Sequence, residues 1–242
     1  MNVFFNYLLS GLITILVLPV IMFFALLIYL YDRHNPFYVA NRVGKNGKLF
    51  KMIKLRSMCI DSHNYKIDST ANDDPRITPI GKVVRKFKLD ELAQIINVIK
   101  GDINIVGPRP QVEVEVKRYT SVEKKILDVK PGITDISSIV FSDEGDILNG
   151  AENPDLLYAQ IERPWKSRLA LLYIKHASFG LDLKIMFYTF TNIFARRWTL
   201  ERLSKIVSQW ACDMEDLHEI VARRKDLYPC PVPGANDIIR HL

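Results

Sequence analysis

YLLSGLITILVLPVIMFFALLIYLY, the stretch from Tyr7 to Tyr31, decides what kind of protein this is. No charged side chain occurs in residues 1–31, and as an unbroken helix the quoted run would rise roughly 37 Å, enough to cross a bilayer core. With no basic stretch before it and no small-residue cleavage pattern after it, the run reads as a retained membrane segment rather than a secretory signal. Pro19 stands near its middle. It lacks an amide donor and crowds the preceding turn, so it should bend or break the helix at the most apolar depth of the bilayer. Two geometries stay open on these grounds: a kinked span that leaves Met1 on the far side, or two half-helices meeting near Pro19 and re-entering one leaflet. Arg33, Arg42, Lys45, Lys48, Lys51 and Lys54 follow the run, and the positive-inside bias places that side in the cytoplasm.

Outward from this segment the chain changes character. Its 242 residues suit one domain plus an appendage, and 48% hydrophobic content excludes a disordered or collagenous chain. Every one of the 33 basic and 27 acidic side chains, net +6, lies beyond residue 31, so a water-compatible body follows the membrane segment. Cys59, Cys212 and Cys230 are odd in number and far apart, giving neither a disulfide framework nor a zinc grouping. RVGKNGKLFKMIKLR, residues 42–56, carries six basic and no acidic residues, and its Asn46-Gly47 pair predicts a β-hairpin turn. Residues 61–80 read as an irregular connection, in which Asp73 and Asp74 beside Pro75 are turn carboxylates rather than a metal pair.

Leu89, Leu92, Ile95, Ile96 and Ile99 recur at helical spacing, and Gly101 supplies the stop. Asp90 and Glu91 therefore fall near a first turn, where free amides and the positive helix end favour carboxylates. Being adjacent they point about 100° apart, so they can divide labour rather than share a face. Arg85, Lys86 and Lys88 precede them, and Gly107-Pro108-Arg109-Pro110 follows. The two prolines restrict the backbone on either side of a guanidinium that can bind phosphate bidentately. A second rigid element, Lys130-Pro131-Gly132-Ile133-Thr134, points to a compact, loop-rich α/β body.

Ser167 to Phe194 is apolar but interrupted by Arg168, Lys175, His176, Asp182 and Lys184, which suits amphipathic helices at the interface, or buried core helices, better than a second span. Trp198 and Arg196-Arg197 would lie near the headgroups. The basic balance is not a nucleic-acid signal, because no aromatic-interleaved stretch or recognised motif accompanies it.

Taken in order, Arg42-Val43-Gly44-Lys45-Asn46-Gly47, Lys54-Leu55-Arg56-Ser57-Met58, Leu89-Asp90-Glu91-Leu92, Ile96-Asn97-Val98-Ile99-Lys100-Gly101-Asp102, Val106-Gly107-Pro108-Arg109-Pro110, Lys130-Pro131-Gly132-Ile133-Thr134 and Leu181-Asp182-Leu183-Lys184-Ile185 resemble the bacterial sugar transferase family, the small monotopic phosphoglycosyl transferases. With the apolar segment the resemblance covers about residues 5–200. It implies a membrane-associated α/β protein with a re-entrant helix-break-helix at 1–35, a cytoplasmic catalytic domain at 36–200 and an extension at 201–242. The implied setting is the bacterial cytoplasmic membrane, with phospholipid contact.

The implied reaction transfers a sugar 1-phosphate from a nucleoside diphosphate sugar, a UDP-sugar by expectation, to polyprenol phosphate, starting glycan synthesis. Asp90 would be the nucleophile, and Glu91 would help hold Mg²⁺. Lys54, Arg56, Arg85 and Arg109 would contact phosphate, Asp182 would add a direct or indirect Mg²⁺ contact, and Gly107, Pro108, Pro110 and Gly132 would shape the site. Two departures stand out. Leu18 precedes Pro19 where relatives often have serine, and Asp135-Ile136-Ser137-Ser138-Ile139 replaces a glycine and an alanine-glutamine element, which reads as variation on the specificity side. The extension is expected to dock on the body, mediate a homodimer or meet another glycan-pathway enzyme. The competing readings are a noncatalytic assembly or regulatory protein on the same scaffold and a phosphotransferase with a soluble acceptor.

Overall fold

The computed structural model describes residues 3–60, 74–210 and 216–241. Helix α1, Val3–Asp32, is continuous, with Pro19 inside it, rather than the two half-helices expected. Proline costs a helix one donor, and the remaining hydrogen bonds keep the assignment unbroken. Only 17% of its most apolar window is buried, so α1 is not the core helix of a water-soluble protein, and among the described residues it is the one helix long and apolar enough to cross a membrane. Both halves of α1 touch the body: Leu9, Ile13 and Val17 before the proline, and Ile21, Ala25 and Ile28 after it, pack on the same core.

The expected hairpin is present. Strands β1, Phe37–Val43, and β2, Leu49–Leu55, pair antiparallel with Phe37 opposite Leu55 and Val43 opposite Leu49. The loop between them turns through left-handed Asn46 (φ 57°) and Gly47 (φ 77°), residue types that tolerate such backbone. Next come α2, Pro79–Lys86, a 3-10 turn at Leu89–Gln94, and α3, Ile95–Ile99. The helix expected over this stretch thus begins as a 3-10 turn. Its apolar positions divide: Ile95 and Val98 enter the core, while Ile96 and Ile99 stay exposed.

Strand β3, Asn104–Val106, pairs in parallel with β4, Gly132–Thr134, and α4, Glu113–Lys117, lies between them in sequence. Five short or medium helices follow: α5, Ile136–Val140; α6, Glu144–Ile147; α7, Pro154–Leu157; α8, Arg163–His176, entered through a π-helical turn at Tyr158–Glu162; and α9, Phe179–Phe194. The body is therefore helical pieces joined by tight turns more than long loops. Helix α9 starts at Ser178, whose hydroxyl accepts from the Leu181 amide, as an N-cap residue does. It buries Leu181 and Ile185 and exposes Phe187, Phe190, Ile193 and Phe194, the pattern of a helix lying on lipid.

The last elements, α10, Arg196–Ser208, and α11, Leu217–Val221, continue the helical body across residue 201. Leu203, Val207, Leu217, Ile220 and Val221 are fully buried in the core shared with Val98 and Leu169, so residues beyond 200 dock on the body. Cys59 is exposed and Cys230 buried, both free, and Cys212 falls outside the described residues.

Where the two proline-punctuated motifs cross, their backbones nearly touch. A Cβ on Gly132 would sit 2.1 Å from the Gly107 amide nitrogen, and one on Gly107 would sit 2.7 Å from the Lys130 carbonyl. No rotamer relieves a clash with backbone. Gly132→Ala should therefore lower stability by about 1–3 kcal/mol or more, read as a drop in Tm. A variant that melts with the parent would show that the crossing can open freely.

Candidate active site

The acidic pair is placed by an unusual turn. Thr78 caps α2 by accepting from the Gly81 amide at 2.9 Å, and Lys88 then adopts left-handed backbone, φ 55°. For a residue other than glycine that conformation costs of the order of 1–3 kcal/mol, so the surroundings must hold it. It swings the chain into the 3-10 turn that carries Asp90 and Glu91. The turn is fixed to strand β2 by Asn97, which is 0% exposed. Its amide nitrogen donates to the Lys51 carbonyl at 2.7 Å and to Asp102 Oδ2 at 3.0 Å, and its oxygen accepts from the Ile53 amide at 2.9 Å. The helical spacing and the motif gave no hint of this buried amide's job.

Strand β2 presents Lys54 to both acids. Its Nζ lies 3.0 Å from Glu91 Oε1 and 3.6 Å from Asp90 Oδ2. Arg109, from the Pro108–Pro110 turn, donates to the same Glu91 oxygen at 2.7 Å. Burial opposes ionisation of Glu91, yet the Arg109 and Lys54 charges outweigh it and hold the carboxyl well below the usual range. Glu91 in turn raises the pKa of Arg109. Asp90 differs from its neighbour. It is 9% exposed, and its Oδ1 is buried with no hydrogen-bond partner among the described residues.

Arg85 and Lys88 flank the pair without an ion pair within 4.0 Å among the described residues. Burial lowers the pKa of both, against the pull of Asp90 on Arg85 and of Glu91 on Lys88. A carboxylate lacking a full set of donors, set among cations lacking partners, is an arrangement prepared for an anionic, oxygen-rich substrate.

Beside Arg109 opens a cleft of about 440 Å³, including its solvent-open space, with Asp135, Ser137, Tyr158, Arg163 and Lys166 on its walls. Lys166 Nζ pairs at 2.7 Å with both Glu144 Oε2 and Glu162 Oε2 and lies 4.8 Å from the centre of the Tyr158 ring. Burial, reinforced by Glu144, pushes Glu162 up to about 7 despite Lys166. Lys166 lies outside every motif quoted from the sequence, which carried no signal for it.

Three other residues named from the sequence have definite partners. The Arg56 fork is engaged by Asp32 at the end of α1, at 2.5 and 2.7 Å, and its Nε donates to the Asn35 carbonyl, so it ties the membrane helix to the body rather than facing the acids. Asp182 is 0% exposed and its Oδ1 accepts from the Tyr173 hydroxyl at 2.7 Å. Asp135, at the departure from the family pattern, caps α5 by accepting from the Ser138 amide at 2.7 Å and from the Ser137 hydroxyl. Asp74 is paired with Arg76, consistent with a turn role, while Asp73 lies outside the described residues.

No group of three or more His, Cys, Asp or Glu able to hold a metal ion occurs among the described residues. The donor set still suits Mg²⁺, which commonly takes one or two carboxylates and completes its shell with water and substrate phosphates. Asp90 and Glu91 would provide the carboxylates, Glu91 through the Oε2 that neither Lys54 nor Arg109 takes.

A buried acidic pair held by cations thus lies beside a polar cleft, in a body against which an apolar helix packs. The chain belongs to the Bacterial sugar transferase family, which residues 1–196 match. It is 33% identical over 180 residues to a UDP-N-acetylgalactosamine-undecaprenyl-phosphate N-acetylgalactosaminephosphotransferase of Aeromonas hydrophila, covering 72% of this chain and 39% of that protein. It is 41% identical over 129 residues to an undecaprenyl-phosphate galactose phosphotransferase of Salmonella typhimurium (45% and 27% covered). Over 183 residues it is 33% identical to a UDP-glucose:undecaprenyl-phosphate glucose-1-phosphate transferase of Klebsiella pneumoniae (74% and 37% covered). The chain thus spans about a quarter to two fifths of the length of these relatives.

Proposed function

We propose that this protein transfers a sugar 1-phosphate from a nucleoside diphosphate sugar, a UDP-sugar by analogy with its relatives, to polyprenol phosphate in the bacterial cytoplasmic membrane. The observation that carries the reading is the contrast within the acidic pair: Glu91 is locked by Lys54 and Arg109, whereas Asp90 keeps a buried oxygen without a donor. Asp90 attacks the sugar-bearing phosphorus. The bond from that phosphorus to the bridging oxygen breaks, nucleoside monophosphate leaves with the oxygen, and the sugar phosphate remains on the carboxylate. An oxygen of polyprenol phosphate then displaces the carboxylate, regenerating Asp90 and giving polyprenol diphosphate sugar.

Repulsion is the obstacle in both steps. Two like unit charges 4 Å apart cost about 4 kcal/mol at an effective dielectric near 20, roughly a thousandfold in rate. Lys54 and Arg109, with Arg85 and Lys88 beside them, offset that cost and orient the phosphates. When bound, Mg²⁺ would neutralise charge on the transferring phosphates, held by the acidic pair. Incubation with Mg²⁺, polyprenol phosphate and a panel of nucleotide sugars tests the reading. The expected products are nucleoside monophosphate and a lipid-linked sugar diphosphate in equal amounts. Binding without monophosphate release would favour an assembly role, and transfer without the lipid would favour a soluble acceptor.

The same reading places α1 in one leaflet with the body in the cytoplasm. Contact of both halves of α1 with the body's core supports it, because a straight perpendicular span would leave one half surrounded by lipid, and the basic residues after Asp32 support the sidedness. An epitope fused ahead of Met1 should be protected from external protease in intact spheroplasts and cleaved only after lysis. Cleavage in intact spheroplasts would establish a crossing helix.

A further inference from the structure

Two arginines converge on one short turn. Arg223 Nη2 donates to the Val140 carbonyl at 3.0 Å and to Asp143 Oδ1 at 2.8 Å, and its guanidinium lies 5.0 Å from the centre of the Phe141 ring. Arg196 Nη2 reaches the same two groups, Val140 at 3.2 Å and Asp143 at 2.9 Å. Arg223 is partly buried beneath the turn and sits in left-handed backbone, φ 56°, just past α11. Bringing two cations together on one carboxylate and one carbonyl sets like charges side by side, a cost that a turn of no consequence would not need.

The turn leads to the reaction cleft. Asp143 immediately precedes α6, whose first residue, Glu144, pairs with Lys166, which lines the same cleft as Arg109. Arg223 lies beyond residue 196, where the family match ends, so one of the two arginines of the clamp comes from a part of this chain that the family does not describe.

Resting on the transferase reading above, we infer that Arg223 is a positioning residue for the nucleotide-sugar half of the reaction: with Arg196 it clamps the Val140–Asp143 turn and thereby holds Glu144 and Lys166 as the donor-side wall of the cleft. On the same reading the acceptor side is at α1, to which neither arginine of the clamp is hydrogen-bonded.

Full-length protein carrying Arg223→Ala or Arg223→Lys can be compared with the parent by amide hydrogen exchange over residues 140–148 and by steady-state transfer. The clamp predicts faster exchange in that segment. It also predicts a KM for the nucleotide sugar raised about tenfold in Arg223→Ala, the loss of roughly one charge-assisted hydrogen bond, with the KM for polyprenol phosphate and kcat little changed. Arg223→Lys should fall between, because an ammonium keeps the charge and its donors but not the planar guanidinium that lies over the Phe141 ring. Equal losses toward both substrates, a change in kcat alone, or exchange identical to the parent would overturn the proposal. If Arg223→Ala does not fold, Arg223→Lys and Asp143→Asn carry both readouts. Exchange is read without substrate, so a parent that transfers no sugar would defeat the transferase reading while the clamp is still decided by residues 140–148.

Discussion

Asp90→Asn is expected to reduce transfer by at least about a thousandfold, the scale on which loss of a covalent nucleophile is felt. It should abolish the phosphosugar adduct on the protein while leaving membrane association intact. The substitution is nearly isosteric, and the Oδ1 position has no hydrogen bond to lose, so the fold has little reason to respond. What disappears is the charge and the nucleophilic oxygen. Intact-mass measurement after incubation with nucleotide sugar, without lipid, should show the adduct on the parent and none on the variant. Wild-type transfer by Asp90→Asn would remove Asp90 from the nucleophile's role.

Arg109→Ala should lower kcat by about a hundred- to a thousandfold, as removal of one preorganised charge-stabilising donor does, and should also change the pH profile. In the parent the Arg109 and Lys54 charges overcome burial and keep Glu91 ionised well below the ordinary carboxylate range. Glu91 therefore contributes no acid limb between pH 5 and 7. Without Arg109, burial is opposed by Lys54 and Lys88 alone, the Glu91 pKa rises, and activity should begin to fall at a higher pH than in the parent. The sign for stability is the same: a depressed carboxyl stabilises above its unfolded pKa, near 4.3, and that contribution is lost as pH falls toward its folded value. Arg109→Ala should accordingly be less stable than the parent at pH 7, with the difference narrowing in acid. A variant whose acid limb coincides with the parent's would show that Arg109 does not govern Glu91.

How much of this was legible in the sequence depended on whether the deciding contact was local. The hairpin was readable because Asn46-Gly47 states its own backbone preference, and the apolar helix because membrane segments are defined by composition. The acidic pair and Arg109 were visible as motif residues, and the structure joins them through Glu91. The partner of Arg56 was not legible because a fork that suits phosphate suits Asp32 equally well, and nothing near residue 56 shows which is within reach. The burial of Asp182 was not legible because it depends on Tyr173, which folds over it from the preceding helix. Asn97, Lys166 and Arg223 act across 22 to 83 residues of sequence, where periodicity carries no information. Pro19 is the converse case: its local rule was sound, yet the helix is continuous through it.

The Arg56–Asp32 fork makes the apolar helix a depth gauge. It fastens the point where α1 leaves the lipid to the strand end next to Lys54, so the height of the acidic pair above the membrane is set by one rigid link rather than by a swinging tether. On the proposed transferase reading, an acceptor that carries its phosphate at the headgroup level would meet the carboxylates without being lifted out of the bilayer, and the water-soluble donor would be the partner that does the travelling.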